Sequence, residues 1–287
     1  MEGADIVRSH QAILLEEMRE NSEAIEKFEV SRGMQPNFRN YYSKYPDSRR
    51  TRNAAAARRQ SLPAFVESLV ARFGSEPLVL DVGCGYGTDS LLLARLGCRV
   101  TAIDVNEDYI AVARERLAYW GSSLEGVPEP EFSSGHVEDR HDLSGFHGVY
   151  SAECLHHCEP VENALLAMRG ALVDGGLGLV LESNASNPLV RWQRNRVTTG
   201  PRRVLNRNGQ DFGLTGNENI KTLPTWRSVF RDCGFDVTGE VYTRHLLTEI
   251  TGSQSFERSM MRVPGASVST IHVAFGLRTR QADVIEA

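Results

Sequence analysis

The chain has 287 residues, 41% hydrophobic and 24% charged, with a formal net charge of -5. That length suits one large domain or two small ones, and the acidic balance argues against a dedicated nucleic-acid binder, which is normally basic. No apolar run approaches the roughly 18 residues of a membrane span, no basic-then-apolar start marks a secretory signal, and the five cysteines contain no CxxC pair, so a cytoplasmic protein with free thiols is expected.

Residues 8–30 carry Ile13, Leu14, Met18, Ile25 and Phe28 at helical spacing among many charges, which predicts one exposed amphipathic helix. An aromatic and basic stretch with little periodicity follows, and Ser61 caps a helix over 62–73 with Pro63 in its first turn. From there apolar strands alternate with helices: strands at Leu78–Asp81, Arg99–Ile103, Glu131–Val137, Gly148–Ala152 and Leu177–Leu181, and helices at Thr88–Leu96, Glu107–Leu117 and Val161–Leu172. After an irregular segment come a helix at Thr225–Cys233 and strands at Phe235–Tyr242 and Thr270–Leu277. Such alternation calls for a doubly wound α/β fold, a mostly parallel seven-stranded sheet covered on both faces. Two closing strands without a helical crossover predict an antiparallel hairpin at the sheet edge. An extension over 1–60 precedes the main domain at 61–287.

The stretch LDVGCGYGTDS places Gly83, Gly85 and Gly87 between the first strand and its helix, where backbone can approach a ligand that a Cβ would block. Asp104 ends the second strand, at the place where an acid hydrogen-bonds ribose hydroxyls. A dinucleotide fingerprint needs a third glycine where Thr88 stands, and a Walker loop needs a GK[ST] ending that is absent. Phosphate fits poorly.

The run Asp81-Val82-Gly83-Cys84-Gly85-Tyr86-Gly87 resembles the first motif of class I S-adenosylmethionine-dependent methyltransferases, and the resemblance continues through Asp104-Val105, Gly135-His136-Val137-Glu138, Ala152-Glu153-Cys154-Leu155-His156-His157 and Asp174-Gly175-Gly176. It covers about residues 60–182 by motif, and 222–278 by architecture alone. It implies a Rossmann-like fold that binds S-adenosylmethionine through Asp81, Gly83, Cys84 and Gly85, with Asp104 on the ribose and Val105 packed on the adenine. His136, Val137 and Glu138 would meet the adenine edge, and Glu153 would complete the site. Where the family often has Asp, this chain has His136, so the partner of the adenine amino group stays open among Glu138, Asp139 and the Val137 backbone.

The Cys154–Cys158 cluster invites a metal reading, but consecutive side chains rarely ligate one ion and no second cluster supplies further ligands, so no metal is expected. The resemblance instead makes one of His156 and His157 a general base, with His156 favoured. An alcohol or phenol is a poor nucleophile until deprotonated, and histidine can take its proton near neutral pH. The other histidine then caps the following helix or fills the core.

Acceptor choice is expected in additions to the common core: 1–60, 184–221 and 243–269. Tyr42, with Tyr41 and Tyr45, either closes over the methionine end of the cofactor or packs the extension onto the domain. The 184–221 stretch carries seven basic residues against two acidic ones. It reads as a lid whose Arg191 and Arg194 bind an acidic group and whose Trp192 covers an aromatic one, or as a solvated face. The expected function is methylation of a small-molecule acceptor, at oxygen, without nucleic-acid or membrane partners. N-methylation of a small amine and cofactor binding without turnover are the alternatives.

Overall fold

A computed structural model describes residues 3–39, 61–195, 202–205, 211–215, 219–245 and 270–280. The N-terminal extension forms α1 (Gly3–Glu20) and α2 (Ser22–Ser31) in place of a single helix. The break falls at Asn21, a residue type whose side chain competes with the helical backbone. The bend lets Leu14, Met18 and Ile25 all reach the core. Next come α3 (Ser61–Phe73), β1 (Leu78–Val82), α4 (Thr88–Arg95), β2 (Arg99–Asp104), α5 (Glu107–Trp120), β3 (Glu131–Ser134), β4 (Phe146–Ala152) and α6 (Val161–Ala171). The chain continues through β5 (Leu172–Ser183), α7 (Pro188–Asn195), β6 (Arg202–Leu205), β7 (Asp211–Thr215), α8 (Leu223–Asp232), β8 (Phe235–His245) and β9 (Thr270–Thr279).

Seven strands form one sheet in the order β3-β2-β1-β4-β5-β9-β8, and β6 pairs with β7 in a separate ribbon. Pairings from β3 to β5 are parallel, whereas β9 runs antiparallel to both β5 and β8. The expected antiparallel pair is therefore present, with β8 at the rim and β9 inside it. The Asp174-Gly175-Gly176 turn lies within β5 rather than before it: the register with β4 jumps from Phe146↔Leu172 to Gly148↔Leu177, so the turn bulges out of a continuing strand. Helices α1 to α5 pack on one face of the sheet, around Leu69, Leu92, Ile110 and Trp120. On the other face α6 and α8 pack through Leu165, Met168, Trp226 and Phe230. No helix among the described residues is long and apolar enough to cross a membrane.

Strand β1 is buried almost throughout, and its one acid, Asp81, accepts a hydrogen bond from the Ser90 hydroxyl of α4 at 2.6 Å. Burial pushes the Asp81 carboxyl up to about 8, against the lowering effect of Ser90, and the neighbouring Asp89 and Asp104 add to the rise. The folded chain thus keeps a proton that the unfolded chain releases in the ordinary carboxylate range. The stability this group contributes is complete below that range and is lost as pH rises toward about 8. An Asp81→Asn variant, which keeps the acceptor for Ser90 and cannot ionise, should show a melting temperature that falls less than the wild type's between about pH 5 and 8.

Gly87 precedes α4 with φ +73, and a Cβ there would lie 2.7 Å from the Phe132 ring. Gly87→Ala combines a left-handed backbone with overpacking, and should cost about 2–4 kcal/mol in denaturant unfolding.

Candidate active site

The loop after β1 is drawn against the end of β2 by backbone donors. The N–H groups of Gly83 and Cys84 reach the Ile103 carbonyl at 2.8 and 3.1 Å. The Gly85 N–H donates to Asp104 Oδ2 at 2.8 Å, and the Asn106 N–H donates to Oδ1 at the same distance. Asp104 is thus oriented by the loop it serves. Burial raises its carboxyl above the usual range, while the two backbone donors pull it back.

The glycines differ in what they accommodate. A Cβ at Gly83 would sit 2.1 Å from Cys154 Sγ, so the room there is occupied by the turn after β4 rather than left for a ligand. Gly85 faces open space, and a Cβ at that position would meet no atom within 4 Å. The opening is therefore at Gly85. Beside it, Val105 is 63% exposed, an apolar side chain left facing outward at the end of β2. Gly135 also borders open space, and its N–H ties β3 to the Asp104 carbonyl. His136 is exposed, with Nδ1 3.6 Å from Glu138 Oε1, and Val137 is buried. Together these residues place an acid, an exposed apolar side chain and an open glycine at the carboxyl ends of β1, β2 and β3, the edge where ligands enter sheets of this kind.

The paired histidines keep their rings 4.0 Å apart but differ in burial. His156 is buried, with Nδ1 2.6 Å from Glu182 Oε2, whereas His157 is exposed. The other oxygen of Glu182 accepts the Leu155 N–H at 2.8 Å. Burial pushes Glu182 upward, opposed by His156. Glu182 ends an apolar run, as Asp81 and Asp104 do, and that shared pattern is the signal by which the sequence marks it.

A second group lies across the sheet. Glu153 has φ +54, a strained value for a residue with a side chain. Its Oε2 accepts from Ser183 at 2.9 Å, and Oε1 lies 3.5 Å from Nε2 of the buried His272. No sequence signal singles out His272, which alternates within an ordinary strand.

The start of the 184–221 stretch is fastened to the same end of the sheet. Asn184 and Asn187, both buried, donate to the Thr270 carbonyl at 3.3 and 3.1 Å. Asn187 Oδ1 also accepts from Leu189 N–H at the start of α7. Its far end returns beside the histidines, where the Asn219 N–H donates to the His156 carbonyl at 3.0 Å. Trp192 on α7 is exposed. The side chains of Arg191 and Arg194, like Tyr42 and residues 246–269, lie outside the described residues. Among the described residues no group of three His, Cys, Asp or Glu is placed to hold a metal.

Residues 79–176 match the model of a methyltransferase domain. The chain is 36% identical over 119 residues to a ubiquinone biosynthesis O-methyltransferase of Xanthomonas axonopodis pv. citri (strain 306), a match covering 40% of this chain and 46% of that protein. It is 26% identical over 238 residues to a malonyl-(acyl-carrier protein) O-methyltransferase of Enterobacter lignolyticus (strain SCF1), covering 77% and 89%. The chain spans less than half the length of several curated relatives that it matches. The crystal structure of a magnesium protoporphyrin IX methyltransferase from Synechocystis PCC 6803, with bound S-adenosylhomocysteine, superposes with a TM-score of 0.56 at 15% identity over 91% of this chain and 100% of that one. Residues 79–176 thus carry the likeness to a methyltransferase domain, and the sheet order and glycine loop around them are similar to those of class I S-adenosylmethionine-dependent methyltransferases.

Proposed function

We propose that the chain methylates a hydroxyl or carboxyl oxygen of a small-molecule acceptor, with His156 as general base and Glu182 as the residue that orients it. The observation that carries this reading is the 2.6 Å contact between His156 Nδ1 and the buried Glu182. With Glu182 ionised, Nδ1 donates, and the basic lone pair is left on Nε2. Glu182 is in turn held by the Leu155 N–H, so the ring orientation is set by the protein. Both curated relatives named above are O-methyltransferases by name.

When bound, S-adenosylmethionine supplies a methyl group on a positively charged sulfur that leaves as a neutral thioether. Asp104 would accept from the ribose hydroxyls, Val105 would cover the adenine, and the Gly85 opening would admit the methionine chain carried by the ribose. His156 Nε2 would take the hydroxyl proton of an alcohol or phenol acceptor, whereas a carboxylate acceptor would arrive already deprotonated. Such alignment supplies roughly 7–11 kcal/mol of the barrier, and the base a further factor of about 10² to 10⁴ for a hydroxyl. In this reading 184–221 covers the acceptor, with Trp192 against an aromatic face and Arg191 and Arg194 toward an acidic group. One end of the segment is fastened to Thr270 and the other to the His156 carbonyl, which supports this reading.

His156→Ala should lower turnover by about 10²-fold or more while leaving the affinity for S-adenosylhomocysteine nearly unchanged, with part of the loss recovered at alkaline pH. Less than a few-fold loss would remove His156 from the mechanism. Asp104→Ala should weaken S-adenosylhomocysteine binding by about 1.5–3 kcal/mol in calorimetry, the value of hydrogen bonds to a charged acceptor. Wild-type affinity in that variant would dissociate Asp104 from the ribose.

A further inference from the structure

Tyr86 stands between Gly85 and Gly87, both with positive φ, so the peptide it belongs to is flanked by the two residues least able to hold it in place. It is nevertheless held twice from the N-terminal helices. Its hydroxyl donates to Glu29 Oε1 of α2 at 2.8 Å. The same carboxylate accepts the N–H groups of Asn37 and Phe38, and the Phe38 ring meets the Tyr86 ring edge-on at 5.8 Å.

The second hold is charged. Arg116 of α5 is fully buried and forms a fork pair with Glu17 of α1, Nε to Oε1 at 2.8 Å and Nη2 to Oε2 at 2.7 Å. Its remaining terminal nitrogen, Nη1, donates to the Tyr86 carbonyl and, at 2.9 Å, to the Thr88 hydroxyl. A buried ion pair contributes little to stability over well-packed apolar side chains of the same volume. What it adds here is direction: the guanidinium, neutralised by α1, points its last donors at the two residues that bracket Gly87. The Gly85 N–H that orients Asp104 belongs to the residue just before Tyr86.

We propose that Glu17, Arg116 and Glu29 are positioning residues that hold the glycine loop in its cofactor-binding shape, so that cofactor affinity depends on the N-terminal helices. This rests on the reading of the loop as the S-adenosylmethionine site. The loop and the extension then form one thermodynamic unit: a ligand that fixes the loop stabilises the seat of α1 and α2, and the converse holds by linkage.

The test uses the full chain with S-adenosylhomocysteine as probe, measuring Kd by calorimetry and the melting temperature without ligand. Two double variants are informative. Y86F/T88V removes the two hydroxyls and keeps the shape; E17M/R116M replaces the ion pair with apolar side chains of similar length. Both should melt near the wild-type temperature. Kd should rise about 5–10-fold in Y86F/T88V, as expected for hydrogen bonds of ordinary strength, and at least about 10-fold in E17M/R116M. A purely structural pair would alter melting and leave Kd alone. Either variant folded with wild-type Kd overturns the proposal, and if E17M/R116M does not fold, Y86F/T88V decides by itself. Failure of the wild type to bind S-adenosylhomocysteine would instead overturn the assignment of the loop.

Discussion

Three backbone N–H groups, from Gly83, Cys84 and Gly85, close the turn after β1 onto the last two residues of β2. This closure places the start of α4, turns Asp104 toward the opening, leaves Val105 facing outward and, through the Asp104 carbonyl, fixes the end of β3. It also concentrates carboxyl groups: Asp81 lies beneath the turn, with Asp89 and Asp104 close enough to raise its affinity for a proton. A phosphate brought to this place would meet the negative charge of Asp89 and Asp104, the same charge that keeps the proton on Asp81. A cationic ligand would meet the opposite sign in a partly desolvated site, where electrostatic interactions are strongest.

The second half of the site is organised by the alternation of β5. Val180 faces α6 and α8, Leu181 faces the N-terminal helices, and the next two residues continue that alternation. Glu182 therefore meets His156 on one side of the sheet, and Ser183 meets Glu153 and, by register, His272 on the other. Two histidine–carboxylate pairs thus stand at the carboxyl end of the sheet, one on each side, each touched by one of two consecutive residues of β5. A one-residue shift in the register of β5 would turn Glu182 away from His156 and toward the side that holds Glu153.

The N-terminal extension is bound into this arrangement by more than apolar contact. Glu17 and Glu29, both buried acids on surface-facing helices, reach the loop through Arg116 and Tyr86. In the sequence they are indistinguishable from the many charges around them, because amphipathic periodicity sorts residues by face and says nothing about which acid finds a buried partner. The same limit applies to Arg116, four residues before the fully buried Trp120 on a helix rich in charges.

Sequence alone determined the elements whose signals are local. Apolar runs ending in acids marked β1 and β2, alternation with helices required a mostly parallel sheet, and glycines at three alternate positions marked the loop, because backbone conformation and short-range periodicity are written into neighbouring residues. Through the family resemblance it also offered two adjacent histidines as candidates for a general base. Tertiary structure decided between their environments, since only the pairing of β4 with β5 brings Glu182 to His156, 26 residues away. It likewise decided which glycine leaves room for a ligand, that one predicted helix is two, and that an arginine and a glutamate 99 residues apart share a buried site. Those outcomes depend on which side chains meet after the sheet closes, and no window along the chain contains both partners.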